Sequence, residues 1–261
     1  MRRYFRRIPL DGLIFQRAVR DADAVLALST HALGQLRDQY DRAGLLVAAP
    51  TDLRLYATQA KTPRAEPLIL FVGDADEPRK GAILLAQAAA LLLDRGQPLH
   101  LAYSGRASEA TRQAIAATLA HPGRVTFHGV GQTDDLPALY AAATVVVNPA
   151  IWEAQGMVLV EALAAGTPVV GCDHAGTPDI ITDPAIGRLF DPGPMGIAAT
   201  NAAGLAEAIA ATLPLAASPD TVARCRQRAA AFGWNRVGPL YEAALMGIAP
   251  TDMTQEKEPA S

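Results

Sequence analysis

The sequence predicts an α/β fold whose core is a doubly wound, Rossmann-like parallel sheet. From residue 68 onward, short apolar runs alternate with segments of helix length, and this alternation implies right-handed βαβ crossovers. Several runs are apolar at almost every position, as expected of strands that helices cover on both faces. Hydrophobic residues make up 50% of the 261-residue chain, which is enough to fill such a core.

The predicted strands are short apolar runs, most of which end at small, polar or proline residues. Two of them precede residue 51, and five or six follow Pro67 and form a single sheet. In chain order, the predicted strands are 24–28, 45–49, 68–72, 99–103, 125–127, 144–147, 169–171 and 188–190.

The predicted helices lie between these strands and after the last one. Ser29 and Thr30 supply a cap for the second helix, and Gly156 opens the most apolar of them. In chain order, the predicted helices are 13–22, 32–40, 82–95, 109–119, 134–142, 156–166, 202–212, 219–231 and 235–246.

The chain divides into four predicted segments. The first holds only two strands, too few for an independent domain of this kind. The second is polar and contains two prolines, which is typical of a linker. The last is polar and lacks the apolar residues of a packed core, which predicts a disordered tail. The segments are 1–50, 51–67, 68–249 and 250–261.

The composition excludes several function classes. A net charge of −3 and a pI near 5.9 provide no basic surface for nucleic acid. No apolar run reaches the length of a transmembrane helix, and no G-x-G-x-x-G or Walker loop is present. Neither the cysteines, Cys172 and Cys225, nor the histidines have metal-ligand spacing, so no metal or other cofactor is predicted. So few cysteines suit a reducing cytoplasm, where we expect the protein.

The N-terminus is basic, with four arginines around Tyr4 and Phe5. It lacks the apolar core of a signal peptide. Two interpretations remain open: peripheral contact with the anionic inner face of the membrane, and a solvent-exposed chain end.

The most informative stretch contains two glutamates, Glu153 and Glu161. Glu153 precedes an apolar helix, and Glu161 lies about a turn and a half inside it. A lone carboxylate on an apolar helix is costly unless it is hydrogen-bonded or paired. Its partner is either the protein, through backbone amides or an arginine, or a ligand with vicinal hydroxyls. Both glutamates are predicted near the C-terminal edge of the sheet, where open α/β folds bind ligands.

Basic residues and glycine follow the first strand of the large segment. Arg79 and Lys80 precede a helix, which suits a diphosphate, although such a pair is also typical of a solvated turn. Gly73 allows close approach of a ligand or simply a turn. The backbone amides around Gly156 open a helix, where anions and hydroxyl groups bind.

Together these residues resemble retaining GT-B glycosyltransferases of family 4, specifically their C-terminal, donor-binding half. The strongest match runs from Glu153-Ala-Gln-Gly156 through Glu161-Ala-Leu-Ala-Ala-Gly166 to Thr167-Pro168-Val-Val. The resemblance covers about residues 20–245. Further matches are Phe71-Val72-Gly73, Lys80-Gly81, Val125-x-Phe127-x-Gly129, Leu136…Tyr140-x-Ala142, Gly176-x-Pro178-Asp179 and Phe232-Gly-Trp-Asn235.

The resemblance implies transfer of a sugar from a nucleotide donor to an acceptor, with retention of configuration and without a metal. It implies two catalytic residues: Lys80 binds the diphosphate, and Glu153 lies beside the sugar hydroxyls. Glu161 then holds the ribose hydroxyls, and segment 1–50 is a remnant of the acceptor domain. The donor is a UDP-, GDP- or ADP-sugar. The remaining implied donor contacts are Gly73, Arg79, Val130 and the amides of Gln155, Gly156 and Met157.

The loop after the first strand departs from the family pattern. The family usually has an arginine, which partners the lysine on phosphate, where this chain has Asp74. Asp76 and Glu77 add two carboxylates that oppose a diphosphate, and Arg79 is the candidate replacement for the missing arginine.

Length is the second departure, because only two strands of an N-terminal domain are recognisable. We expect a fragment, or one subunit of a split enzyme whose partner chain supplies that domain. Turnover by this chain alone is not expected. The alternative to an enzyme is a non-catalytic module that binds nucleotide sugars or a partner.

Overall fold

The structure is a computed structural model that describes residues 9–57, 60–61, 64–131 and 135–247. A small N-terminal unit contains a two-stranded parallel sheet, and a larger unit contains a six-stranded parallel sheet. The tail predicted for 250–261 and the first eight residues of the basic N-terminus lie outside the described residues.

The N-terminal unit consists of two helix–strand repeats. They are α1 (Pro9–Asp21), β1 (Leu26–Ala27), α2 (Thr30–Tyr40) and β2 (Leu45–Leu46). Ser29 caps α2 as predicted, because its hydroxyl oxygen accepts a hydrogen bond from the amide of Ala32 at 3.3 Å. Both strands are shorter than predicted, since each has only the other as its partner in the two-stranded sheet.

The segment predicted as a linker contains one helical turn, α3 (Arg54–Ala57). Thr51 pairs in parallel with Gly233, which fastens the start of this segment to the large unit. Tyr56 is buried and joins one of the two hydrophobic cores. The sequence pattern misses α3 because four residues are too few to show a helical period.

The large unit alternates strands and helices, and its element bounds lie within two residues of the prediction. Short 3-10 helices at Pro78–Lys80 and Leu213–Ala217 were not predicted, since they too are short. The elements are β3 (Leu68–Val72), α4 (Ala82–Asp94), β4 (His100–Ser104), α5 (Glu109–Leu119), β5 (Val125–Gly129), α6 (Leu136–Ala142), β6 (Val145–Asn148), α7 (Met157–Ala164), β7 (Val169–Cys172), β8 (Gly187–Phe190), α8 (Ala202–Thr212), α9 (Pro219–Ala230) and α10 (Trp234–Leu245).

The six strands are all parallel and lie in the order β5-β4-β3-β6-β7-β8. The chain moves outward from β3 to β5, returns to the other side of β3 with β6, and moves outward again. The direction therefore reverses between β3 and β6, and such a switch point opens a crevice at the carboxyl ends of the strands. This order confirms the predicted doubly wound fold.

Helices cover both faces of the sheet. Along β3, Ile69 and Phe71 belong to the core that contains α4 and α5, whereas Leu70 belongs to the core that contains α6 and α7. Successive strand side chains point to opposite faces, so both faces of a central strand need apolar residues. This arrangement explains why the central strands are continuous apolar runs.

Candidate functional site

The predicted site residues lie on two loops, at the carboxyl ends of β3 and β6. The loop after β3 starts at Gly73 and ends in the 3-10 helix Pro78–Lys80, which leads into α4. The loop after β6 contains Glu153 and leads into α7. The strand order makes β3 and β6 neighbours, so these loops meet at the switch point.

Lys80 and Glu153 form an ion pair between the two loops. The Lys80 Nζ atom lies 2.5 Å from Oε1 of Glu153, and the side chains are 20% and 15% exposed. Water screens such a half-buried pair less than a surface pair. An anion that binds Lys80 therefore competes with Glu153, and it frees that carboxylate to accept hydrogen bonds from hydroxyl groups.

Arg79, the candidate replacement for the phosphate-binding arginine, contacts neighbouring loop residues. Its Nε donates to Glu77, and its Nη1 donates to the carbonyl oxygen of Trp152 at 3.1 Å. Asp74 pairs with Arg106, whose Nε lies 3.0 Å from Oδ2. This hydrogen bond lowers the pKa of Asp74. The sequence did not single out Arg106, because only the strand order brings the end of β4 beside β3.

The other two carboxylates of the loop also have protein partners. Asp76 Oδ1 accepts hydrogen bonds from the amide and the hydroxyl of Ser108 at 2.9 and 2.8 Å. Hydrogen bonds from Thr111 and Ser108 lower the pKa of Asp76. Glu77 pairs with Arg79. The repulsion that three carboxylates exert on a diphosphate is therefore smaller than the sequence alone indicates.

Gly73 and Val130, predicted donor contacts, follow β3 and β5. Gly73 packs so closely against Gly105 that a Cβ atom on Gly105 would lie 2.1 Å from the Gly73 carbonyl oxygen. Backbone proximity between the two strands therefore explains the glycine at 105. Val130 follows the edge strand β5, two strands away from β3, and is 81% exposed.

Helix α7 presents its N-terminus to the crevice. Gly156 caps it with a φ of 97°, a left-handed conformation that glycine adopts readily. The first amides of the helix, from Met157 onward, have no acceptor within the helix. The Met157 side chain is 41% exposed. This helix end suits an anion or a hydroxyl group, as predicted for Gly156 and Met157.

Glu161 is half-buried and is hydrogen-bonded by phenols. Its Oε2 atom accepts a hydrogen bond from the Tyr140 hydroxyl at 2.6 Å. Burial raises the pKa of Glu161, and hydrogen bonds from Tyr140 and Tyr56 partly offset this effect. The protein partners that the sequence suggested were backbone amides or an arginine, whereas the structure shows tyrosines.

Gln155 and Asp179 attach the N-terminal unit to the loops of the site. The Gln155 side chain is buried; its Oε1 accepts from the Ala49 amide at 2.5 Å, and its Nε2 donates to the Ala49 carbonyl at 3.1 Å. The Asp179 carboxylate accepts from the amide and the hydroxyl of Thr30 at 2.6 and 2.7 Å. The Gln155 side chain thus contacts the N-terminal unit, while its backbone N–H remains the predicted contact with the sugar donor.

Three rings pack beside Glu153. The ring centroids of Trp152 and His174 are 4.8 Å apart, and those of His174 and His31 are 4.9 Å apart. Burial lowers the pKa of His174, which favours its neutral form. His174 follows the predicted strand 169–171 by three residues, and no local spacing in the sequence connects it with His31 or Trp152.

Metal-ligand groups and membrane-spanning helices can be sought among the described residues. These residues contain no group of three or more histidine, cysteine, aspartate or glutamate side chains arranged to hold a metal. No single described helix is long and apolar enough to cross a membrane; Ala202–Ala217 and Pro219–Ala230 pass the length and composition criteria only together, as a pair bent by 107°. A cavity of about 630 Å³ lies between the loop after β3, helices α4 and α5, and residues 198–200.

Comparison with known proteins identifies the family. The family described as "Glycosyl transferases group 1" matches residues 66–215. The chain belongs to this family. A D-inositol 3-phosphate glycosyltransferase from Mycolicibacterium vanbaalenii is 32% identical to this chain over 250 residues, which is 87% of this chain and 53% of the relative.

Solved structures of glycosyltransferases superpose on most of this chain. Sucrose-phosphate synthase from Thermosynechococcus elongatus superposes with a TM-score of 0.71 at 26% identity, covering 90% of this chain and 61% of that chain. HepE from Anabaena, solved with UDP and glucose, has a TM-score of 0.68 at 21% identity, with 90% and 66% coverage. The chain spans about half the length of this curated relative.

Proposed function

We propose that this chain supplies the donor-binding half of a retaining glycosyltransferase that uses a nucleotide sugar. The observation that carries the proposal is the Lys80–Glu153 ion pair at the switch point, 2.5 Å long and followed by the N-terminus of α7. A cation, a carboxylate and helix amides meet there, which suits a ligand that combines a diphosphate with a polyol.

The roles of the residues follow from their chemistry. Lys80 and the first amides of α7 bind the diphosphate and stabilise the charge that develops as it leaves. Glu153, released from Lys80, accepts hydrogen bonds from sugar hydroxyls. The bond between the anomeric carbon and the phosphate oxygen breaks, and a bond to an acceptor oxygen forms on the same face. The acceptor proton passes to the departing phosphate oxygen.

Similar proteins support the substrate class. The Anabaena HepE structure is described as a complex with UDP and glucose, and the Mycolicibacterium relative is named for an inositol phosphate acceptor. We extend only the class to this chain: a UDP-, GDP- or ADP-sugar as donor and a hydroxyl compound as acceptor. No metal is required in this proposal, because Lys80 and the helix amides carry the positive charge.

A second candidate is a non-catalytic module that binds nucleotide sugars. The Asp74–Arg106 pair favours it, because a carboxylate stands where family 4 enzymes usually have a phosphate-binding arginine. Both candidates require nucleotide binding, and only the first leads to sugar transfer.

Calorimetric titration with UDP, GDP and ADP tests the donor site. We expect one of the three to bind, and Glu161→Ala to weaken it about tenfold or more, as for loss of a charge-assisted hydrogen bond. Lys80→Ala should weaken it similarly. Glu207→Ala is the matched control, since Glu207 pairs with Arg95 away from the crevice. Absence of binding to all three nucleotides would refute the donor site.

A further inference from the structure

The Glu161 carboxylate lies beside two phenols that come from separate parts of the chain. Tyr140 lies on α6 and donates to Oε2 at 2.6 Å. Tyr56 lies on α3, before the first strand of the large sheet, and its phenol lies near enough to Glu161 for burial and that charge together to raise its pKa. The two tyrosine rings pack edge to face, with their centroids 5.6 Å apart. The phenols and the carboxylate thus form one cluster.

Both tyrosines are buried, with exposures of 7% for Tyr56 and 0% for Tyr140. A buried phenol packed against a second ring has little freedom to turn, so it fixes the direction of the hydrogen bond that it donates. Hydrogen bonds from hydroxyl groups to carboxylates are short and strong. Burial and the Glu161 charge raise the pKa of both phenols, which keeps them protonated as donors.

The cluster leaves part of the carboxylate available. An ionised carboxylate has about four lone-pair sites, and two phenols, with one O–H each, can use at most two of them. Glu161 stays partly exposed, and it follows Met157 by four residues on the same face of α7. That face begins at the exposed Met157, at the helix end beside the crevice. The remaining lone pairs match the number needed by a pair of vicinal hydroxyls.

We propose that Tyr56 and Tyr140 are positioning residues that orient the Glu161 carboxylate so that its free lone pairs accept hydrogen bonds from ribose hydroxyls. This inference rests on the proposed donor site. It also places a determinant of nucleoside recognition at Tyr56, outside residues 66–215 that match the family.

Discrimination between ribose and 2′-deoxyribose tests the positioning role. The probes are UDP, GDP and ADP with their 2′-deoxy counterparts, titrated calorimetrically against the full chain and its Tyr56→Phe and Tyr140→Phe variants. We expect the wild type to prefer the ribonucleotide by about tenfold or more. Each variant should reduce that ratio by roughly threefold or more, since a less oriented carboxylate discriminates less.

Tyr103→Phe is the matched control. It removes a buried phenol that donates to the Ala82 carbonyl oxygen at 3.0 Å, on the other side of the sheet from Glu161. Its ratio should equal that of the wild type. A general loss of packing would weaken both nucleotides of a pair equally, so the ratio separates positioning from stability. Should Tyr140→Phe fail to fold, Tyr56→Phe, at the more exposed of the two sites, carries the test.

The possible failures are distinguishable. Failure of the wild type to bind any ribonucleotide would overturn the donor site and this inference together. Binding with an unchanged ratio in both folded variants would overturn only the positioning role. A higher ratio in the variants would also overturn it, because the phenols would then compete with the ribose for the carboxylate.

Discussion

Lys80 and Glu153 neutralise each other across the crevice, and this pairing defines how the site responds to a ligand. The ion pair is half-buried, so separating the two charges costs free energy. A diphosphate supplies a replacement for Glu153, whereas a neutral sugar does not. The geometry therefore predicts that a sugar gains Glu153 as a hydrogen-bond acceptor when it carries a diphosphate, and not as a free sugar.

Replacement of Asp74 tests the electrostatics of the neighbouring loop. Asp74→Asn removes one negative charge near the predicted diphosphate position and frees Arg106, which is paired with Asp74. We expect nucleoside diphosphate binding to strengthen by about threefold to tenfold, with a steeper salt dependence. Calorimetric titration at two ionic strengths measures both effects. Asp94→Asn, which alters a remote pair with His121, is the control; equal responses would contradict this prediction.

The raised pKa of Glu161 predicts how the free energy of unfolding changes with pH. Burial raises the folded-state pKa above the ordinary value of 4.5, so over the window above 4.5 the folded chain binds more protons than the unfolded chain. The free energy of unfolding contributed by this group therefore falls as pH rises through that window. Glu161→Gln removes the titration, so its stability relative to the wild type should rise with pH there and then level off.

Urea unfolding at a series of pH values from the acid side of 4.5 to neutrality measures this difference. Glu207→Gln, a substitution at an exposed glutamate away from the crevice, provides the comparison. A stability difference that is constant over the window would mean that Glu161 titrates normally in the folded chain.

The regular elements follow from sequence patterns, whereas the contacts between loops do not. Strands β3 to β8 and helices α4 to α10 were predictable because apolar runs and helical periods are local signals. The prediction that Glu153 and Lys80 lie at one edge of the sheet agrees with the structure, since the carboxyl ends of parallel strands share that edge. Arg106 and Tyr56 were missed, because their partners Asp74 and Glu161 are distant in sequence and carry no shared spacing.

The loop after β6 also attaches the N-terminal unit, through Gln155 and Ala49. Gln155→Ala should remove both hydrogen bonds and increase the hydrogen-exchange rate of the Ala49 amide by roughly tenfold or more. Exchange measured by NMR resolves this amide. Gln113→Ala, on the surface of α5, is the matched control and should leave it protected. Unchanged protection in Gln155→Ala would show that the contact does not hold the unit in place.

The N-terminal unit exposes apolar side chains in front of the region that matches the family. The family match begins at residue 66, and the N-terminal unit contributes a two-stranded sheet in front of it. Its surface exposes Leu13, Ile14 and Leu46, which are 63%, 60% and 43% exposed. Apolar side chains on so small a unit suit contact with additional protein. We therefore place the acceptor site mainly on a domain that pairs with this unit.

Turnover should accordingly depend on a second polypeptide. We expect the chain alone to bind a nucleoside diphosphate. It should cleave UDP-glucose, GDP-mannose or ADP-glucose to the nucleoside diphosphate only at background rate. Addition of the N-terminal domain of the Mycolicibacterium relative should raise that rate roughly tenfold or more, because it closes the crevice and orients the acceptor. A coupled assay that detects the released nucleoside diphosphate measures this rate. The Lys80→Ala chain with the same domain is the control, and an equal rate there, or full turnover by the chain alone, would contradict the dependence.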